Sequence, residues 1–195
     1  MGPIDFITGD YLAEMTLAEH VDAMALGEHD GYEIPAWEGL EMCLDVTNEK
    51  RIKIVTNGGA QNPRGLAQKV QEQIREKSLD LNVAYVFGDN LLEEVKSSLE
   101  KTGKLPSHPD SGNSGISLAS NTTALLDTER HLVLRANVYL GARAIVKALE
   151  MEADIVICGR IADASPVIAA AWWWHGWDET DYDALAGALI AGHLI

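Results

Sequence analysis

An α/β fold, with a mostly parallel sheet flanked by helices, is predicted by three observations. Short β-rich runs alternate with helical stretches along the chain, the pattern of a parallel sheet with helices packed on it. The apolar runs end abruptly in glycine or a polar residue, as strands do where they leave a sheet. The 195 residues, 47% of them hydrophobic, suit a single large domain over residues 1–195 that can fill its own core.

The elements follow in order. Residues 4–8 (Ile-Asp-Phe-Ile-Thr) read as a strand closed by Gly9-Asp10, and residues 13–26 as a helix with Leu17, Val21 and Met24 inward. Residues 27–35 are rich in Gly, Asp and His and read as a loop, and 37–46 as a second helix. Residues 51–56 (Arg-Ile-Lys-Ile-Val-Thr) form the clearest strand, broken by Asn57-Gly58-Gly59. Asn62-Pro63 then supplies an N-cap and a proline at the first helical position, with Leu66, Val70 and Ile74 continuing at a spacing of four. Strand 83–87 ends at Gly88-Asp89, and helix 91–99 ends near Gly103. Residues 104–120 hold Pro106 and Pro109 without apolar periodicity and read as a long loop, a kind that is usually functional or disordered. Strand 131–135, helix 141–150, strand 154–158, a helix starting near Asp163 or Ser165-Pro166 and a last helix from Tyr182 complete the series. The layering is Rossmann-like or flavodoxin-like.

Charge and composition exclude several function classes. Thirty acidic residues against fifteen basic ones give a formal charge of −15, and the basic residues are scattered among Glu and Asp. Such a chain is repelled by phosphate backbones and anionic lipid, so neither nucleic acid nor membrane is an expected partner. No apolar stretch reaches the roughly 18 residues of a membrane helix, and no secretory signal is visible. Cys43 and Cys158 form neither a disulfide framework nor a CxxC motif, which fits a reduced, cytoplasmic setting, with Cys158 a core thiol. The six histidines show no ligand spacing, so no metal site is expected. Neither GxxxxGK[ST] nor GxGxxG occurs, so no cofactor is evident, and no G-x-S-x-G or Cys–His arrangement offers a nucleophile.

In open parallel sheets, ligands bind beyond the carboxyl ends of the strands. The strand exits here are Gly9-Asp10, Asn57-Gly58-Gly59, Gly88-Asp89, Asn137 and Gly159-Arg160 with Asp163. Glycine permits close approach, while Asp, Asn and Arg direct hydrogen bonds. Asn57, Gly58, Gly59, Asn62 and Arg64, at a helix start, suit a phosphate or carboxylate, although the glycines also serve as a turn and Asn62 as a cap. Arg160 and Asn137 are candidates to orient a ligand, and Asp10, Asp89 and Asp163 to act as acid or base. The alternative for Arg160 and Asp163 is an ion pair fixing the loop, with Asp163 or Ser165 as helix cap. Asp10 and Glu14, four apart, read either as a working carboxylate pair or as a cap and a solvated face residue. Trp172-Trp173-Trp174 with Trp177 could stack on a flat ligand, but burial against the sheet or a neighbouring segment is the favoured reading.

Several blocks, in one order, resemble the acyclic-terpene-utilisation (AtuA-like, DUF1446) family. They are Ile4-Asp5-Phe6-Ile7-Thr8-Gly9-Asp10-Tyr11-Leu12-Ala13-Glu14, Ile54-Val55-Thr56-Asn57-Gly58-Gly59-Ala60-Gln61-Asn62-Pro63, and Gly88-Asp89-Asn90-Leu91-Leu92. Ala136-Asn137-Val138-Tyr139-Leu140-Gly141-Ala142, Gly159-Arg160-Ile161-Ala162-Asp163-Ala164 and Ala191-Gly192-His193-Leu194-Ile195 complete the set. The Trp-rich block and residues 28–37 resemble the fungal branch. The resemblance implies a role in catabolism of acyclic terpenes or related branched acyl-CoA intermediates, with a reaction not established for the family. It also implies a glycine-rich strand upstream and further sheet downstream, so that the domain seen here is an incomplete sheet, truncated at both ends.

Two functional expectations result. One is an enzyme with an anion, carboxylate or CoA-thioester site at the strand exits. The other is a non-catalytic binding or assembly subunit, working as a homo-oligomer or with a partner chain, or an inactive truncated gene product.

Overall fold

The computed structural model describes residues 3–103, 112–115 and 133–194, which fall into two compact units. The first unit comprises Met1–Asp89 and Val138–Ile195, and the second Asn90–Asn137.

The first unit is built on four parallel strands: β1 (Phe6–Gly9), β2 (Lys53–Thr56), β3 (Val83–Val86) and β4 (Ile155–Cys158), in the spatial order β1-β2-β4-β3. β2 and β4 lie in register, Ile54 beside Ile155 and Val55 beside Val156, and both are buried throughout their last three residues. Alternation along these strands sends side chains to two cores. Ile54, Ile155 and Ile157 face α2 (Ile34–Lys50) and α3 (Pro63–Glu76), meeting Leu40, Leu44, Leu66, Val70 and Ile74. Val55, Val156 and Cys158 face α5 (Arg143–Glu150) and α6 (Ser165–His175), meeting Ile145, Val146, Leu149 and Ala169. A strand buried on both faces reads as a continuous apolar run, and Ile155-Val156-Ile157-Cys158 does. The chain steps outward from β1 to β2 and on to β3, then turns back to place β4 in the gap. Right-handed crossovers put helices of the outward and return steps on opposite faces, which is the distribution observed.

Local signals fix the helices. Asn62 accepts a hydrogen bond from the Gly65 amide at 2.9 Å and Pro63 follows it, so α3 starts where the cap and proline predict. α2 begins at Ile34, inside the expected loop, and runs on to Lys50, beyond the expected end at 46. Its buried Ala36, Leu40, Leu44 and Thr47 keep one face on the core. α1 (Glu14–Ala25) and α7 (Tyr182–His193) complete the unit.

In the second unit α4 (Leu92–Thr102) ends at Gly103, which takes a left-handed φ of 65° that a side chain would resist. The strand expected over residues 131–135 is not found in its described part. Residues 133–136 lie in no strand, and pairing is limited to one antiparallel bridge between Asn90 and Asn137, supported by the Leu91 amide donating to Ala136 O at 2.7 Å. The described sheet is therefore four-stranded. An apolar run had suggested a strand there, but a strand needs a continuous ladder, and among the described residues of this segment the bridge at Asn137 stands in place of one. Of the long loop expected over 104–120, all but residues 112–115 lie outside the described residues.

Candidate functional site

The return of the chain to place β4 beside β2 creates a topological switch point, where adjacent strands send their exits to opposite faces. The β2 exit leads to α3, and the β4 exit to α6. The switch point is nevertheless closed. The Gly59 amide donates to Cys158 O at 3.1 Å, and a Cβ on Gly59 would lie 2.6 Å from that oxygen and 2.6 Å from Pro63 Cα. A Cβ on Gly159 would lie 2.9 Å from both Ala60 O and Asp89 Oδ2. These two glycines let the exit loops of β2, β3 and β4 touch, and space rather than backbone angle is what demands them.

The four exits of this sheet are joined by hydrogen bonds. Asn57, fully buried, donates from Nδ2 to Asp10 Oδ1 at 2.6 Å and accepts the Tyr11 amide on Oδ1 at 2.8 Å, binding the β2 exit to that of β1. Asp89 is buried at the β3 exit and accepts the Arg160 amide on Oδ2 at 3.0 Å. Arg160, 2% exposed, donates to Ile161 O from Nε at 3.0 Å and from Nη2 at 2.6 Å, to Leu12 O from Nη1 at 3.3 Å, and to Asp163 Oδ1. The Tyr139 ring lies 4.3 Å from its Cζ, a cation–π stack. A fully buried guanidinium is costly unless its donors are met, and here the loop after β1 and the loop after β4 supply three acceptor oxygens, those of Leu12, Ile161 and Asp163.

The candidates therefore separate. Asp10 and Asp163 are exposed, while Asp89, Asn57, Gly58, Gly59 and Arg160 are buried. Among the backbone amides of the β2 exit loop, Gly58 donates to Thr56 Oγ1, Gly59 to Cys158 O, Ala60 to Asn57 O, Gln61 to Gly31 O and Asn62 to Gly59 O. The loop thus uses its own donors to hold its shape, and the Asn62 side chain caps α3 while donating to Asp30 O at 2.8 Å. Arg64 is exposed on the first turn of α3. Asn137 belongs to the second unit, where it pairs with Asn90. Asp10 and Glu14 go to different partners, Asp10 to Asn57 and Glu14 to the Tyr139 hydroxyl. Asp163 pairs with Arg160, and the residue at the α6 N-cap is Ala164, which supplies no side-chain cap.

Gly9 and Tyr11, on either side of Asp10, both line an apolar cavity of about 240 Å³ between β1, β2 and α2, with Ile7, Leu40, Cys43 and Thr56 among its walls. A carboxylate held by an amide beside an apolar cavity can exchange a proton with a ligand whose hydrocarbon part fills it.

Some contributors received no site role from the sequence. Tyr139 reaches both Arg160 and Glu14 across the fold. Residues 29–33 brace the β2 exit through the Glu33 amide on Gly58 O at 2.8 Å and Gly31 O on the Gln61 amide at 2.8 Å. Behind this brace His20 and His29 stack at 4.2 Å, and His20 Nε2 lies 3.5 Å from Glu33 Oε1. Burial pushes the Glu33 carboxyl up from its ordinary value and, with the His29 charge, pushes His20 down. Desolvation is the larger cause for both groups. The sequence marks this segment as a loop by its Gly, Asp and His content, and Gly31, with φ of 87°, makes its turn.

The tryptophan block packs on β1 and on itself. Phe6 meets Trp173 edge-on at 5.8 Å and Trp174 at 6.2 Å, and Trp172 donates to Trp177 O at 2.8 Å. Among the described residues no group of His, Cys, Asp and Glu is arranged to hold a metal ion, and no helix is long and apolar enough to cross a membrane. Comparison with curated proteins and with solved structures gives no match. The family model described as acyclic terpene utilisation family protein AtuA matches residues 1–195, and the chain belongs to that family, a membership that suggests a role in acyclic terpene utilisation.

Proposed function

We propose that this chain binds a carboxylate or CoA thioester of a branched acyl intermediate of acyclic-terpene breakdown at its strand exits, with Asp10 as the proton-exchanging group. The observation that carries this reading is the Asp10–Asn57 pair beside the apolar cavity of about 240 Å³. The protein bonds to Asp10, from Asn57 and from the Leu12 amide at 3.4 Å, both fall on Oδ1, so Oδ2 is the oxygen to face a ligand. Asn57 orients that carboxylate as a positioning residue. Arg64, exposed on the first turn of α3, is the cation for a phosphate or carboxylate head, assisted by the positive end of the helix. Arg160 and Asp89 hold the exits at their spacing, and Asp163, exposed, is a second candidate acid or base. The cellular setting proposed is the cytoplasm.

A non-catalytic binding or assembly role is the second reading, favoured by one specific observation. The exit-loop amides and the Arg160 guanidinium spend their donors inside the fold rather than presenting them.

Thermal melts of the chain with a panel of branched and straight CoA thioesters test the proposal, followed by Asp10→Asn and Arg64→Gln. A melt raised by one thioester, reduced in Arg64→Gln, supports binding at these exits. Turnover lost in Asp10→Asn with binding retained supports catalysis. A melt raised equally in both variants sinks the site, and binding without turnover of any bound thioester favours the second reading.

A further inference from the structure

A second cleft of the first unit is on the other face of the sheet from the Asp10 cavity, and the two share no lining residue. It measures about 780 Å³ and lies between the start of α5 and helices α6 and α7. That volume is within the range of about 300–1,000 Å³ usual for small-molecule sites. Its walls are apolar, with Leu140, Ile168, Trp172, Leu185 and Leu189 facing the space. At its edge Phe87 and Tyr182 are 76% and 70% exposed, a large aromatic area for a soluble surface to leave uncovered.

Three polar features lie in this apolar setting. Gly141, Ala142, Arg143 and Ala144 all line the cleft, and they form the start of α5, where Ala142 at the N-cap supplies no side-chain cap. The amides of a first helical turn lack intrahelical acceptors, and their end of the helix is positive. Arg143 brings a full positive charge, held 3.5 Å from Glu179 in an exposed pair that solvent weakens. Independently, Ser165 is 2% exposed and lines the cleft, yet its hydroxyl has no hydrogen-bond partner among the described residues. A serine hydroxyl that opens onto the cleft from a nearly buried residue, without a protein partner, is left to bond whatever fills the cleft.

We propose that this cleft is a binding site for an aliphatic carboxylate, its chain along α6 and α7 and its carboxylate at the start of α5 beside Arg143 and the Ser165 hydroxyl. The charge complement selects the head group. The α5 amides and Arg143 favour an anion, and Glu179 competes with it for Arg143. The site stands whether or not the Asp10 reading does, because the two cavities are separate.

Titration calorimetry of the full chain with decanoate, decanol and decylamine tests it. The expected result is saturable decanoate binding, with decanol weaker and decylamine weakest. Arg143→Gln should weaken decanoate by about fivefold, the worth of roughly 1 kcal/mol at a helix start, and leave decanol unchanged. Glu179→Gln, which frees Arg143, should strengthen decanoate. Two variants fill the cleft from α7, Ala186→Trp and Leu189→Trp. Each that retains the parent far-ultraviolet circular dichroism should lose decanoate binding by at least about tenfold. Absence of saturable decanoate binding overturns the proposal. So does decylamine binding as tightly as decanoate, or a folded filling variant that binds as the parent does.

Discussion

Replacing Arg160 by methionine tests whether one buried guanidinium holds the strand exits together. Methionine fills a similar length of aliphatic space, so the loss is concentrated in the head group. Arg160 is 2% exposed, and its removal strips donors from Ile161 O and Leu12 O and leaves the Asp163 carboxylate without its partner. Breaking a buried charge pair costs about 3–5 kcal/mol, and each buried acceptor left alone about 1–3 kcal/mol. Asp163 is half-exposed and recovers water, which discounts the ion-pair part. Methionine also returns the desolvation cost of the buried charge. The sum settles at about 3–4 kcal/mol, set mainly by the two carbonyls and the lost stack on Tyr139. Urea unfolding followed by tryptophan fluorescence suits the question, since Trp37 and Trp172, Trp173, Trp174 and Trp177 all report on the first unit. With an m value of about 2 kcal/mol per molar, the midpoint should fall by about 1.5–2 M at unchanged m. A fall below about 0.5 M would refute the reasoning, because it would mean that the carbonyls find water and the guanidinium contributes nothing net.

Further outcomes follow from the same structure. Gly59→Ala, whose Cβ would meet Cys158 O and Pro63 at 2.6 Å, should cost about 2–4 kcal/mol by overpacking and the strained Gly59–Cys158 bond, read as a lowered Tm. Glu33 has a folded pKa raised above its ordinary 4.5, so its contribution is fully present below pH 4.5 and is lost as pH rises through the folded value. Glu33→Gln should therefore gain stability relative to the parent as pH rises from 4.5 through that folded value, read as a growing Tm difference; a Tm difference independent of pH would contradict the assignment. His20 has the opposite sense: its folded pKa lies below the ordinary 6.5, so its contribution is present above pH 6.5 and is lost as pH falls through the folded value, a loss that His20→Gln should abolish. Of the two thiols, Cys158 is fully buried and its pKa is pushed up by burial and by Asp89, whereas Cys43 is half-buried on the 240 Å³ cavity. A thiol reagent at pH 8 should label Cys43 in the native protein and Cys158 only on unfolding; equal native rates would show that β4 opens readily.

Local chemistry carried most of the elements in the sequence. Asn62-Pro63 states a helix start by itself, because cap and proline act within four residues. Ile155-Val156-Ile157-Cys158 states a strand covered on both faces, because apolar residues of both parities must be buried. The family, too, was legible, since ordered blocks such as Gly159-Arg160-Ile161-Ala162-Asp163 need no coordinates to compare. Strand 131–135 was misread over its described residues because an apolar run fits a strand but does not decide whether a ladder forms beside it. The sequence also named the exit residues without their roles. Asp10, Asp89 and Asp163 are the same residue type after three different elements, yet Asp10 accepts from Asn57 in the open, Asp89 is sealed against the Arg160 amide, and Asp163 closes on the guanidinium. Those differences come from contacts 47, 71 and 3 residues away in the chain, of which only the last falls within the reach of local spacing. The strand order β1-β2-β4-β3 decided the rest. By inserting β4 beside β2 it brought Gly59 against Cys158, placed α5 and α6 on the face opposite α2 and α3, and opened the cleft that lines Ser165 with apolar neighbours. Composition and periodicity fix what each segment is, but which segments become neighbours is set by how both faces of one sheet are covered at once.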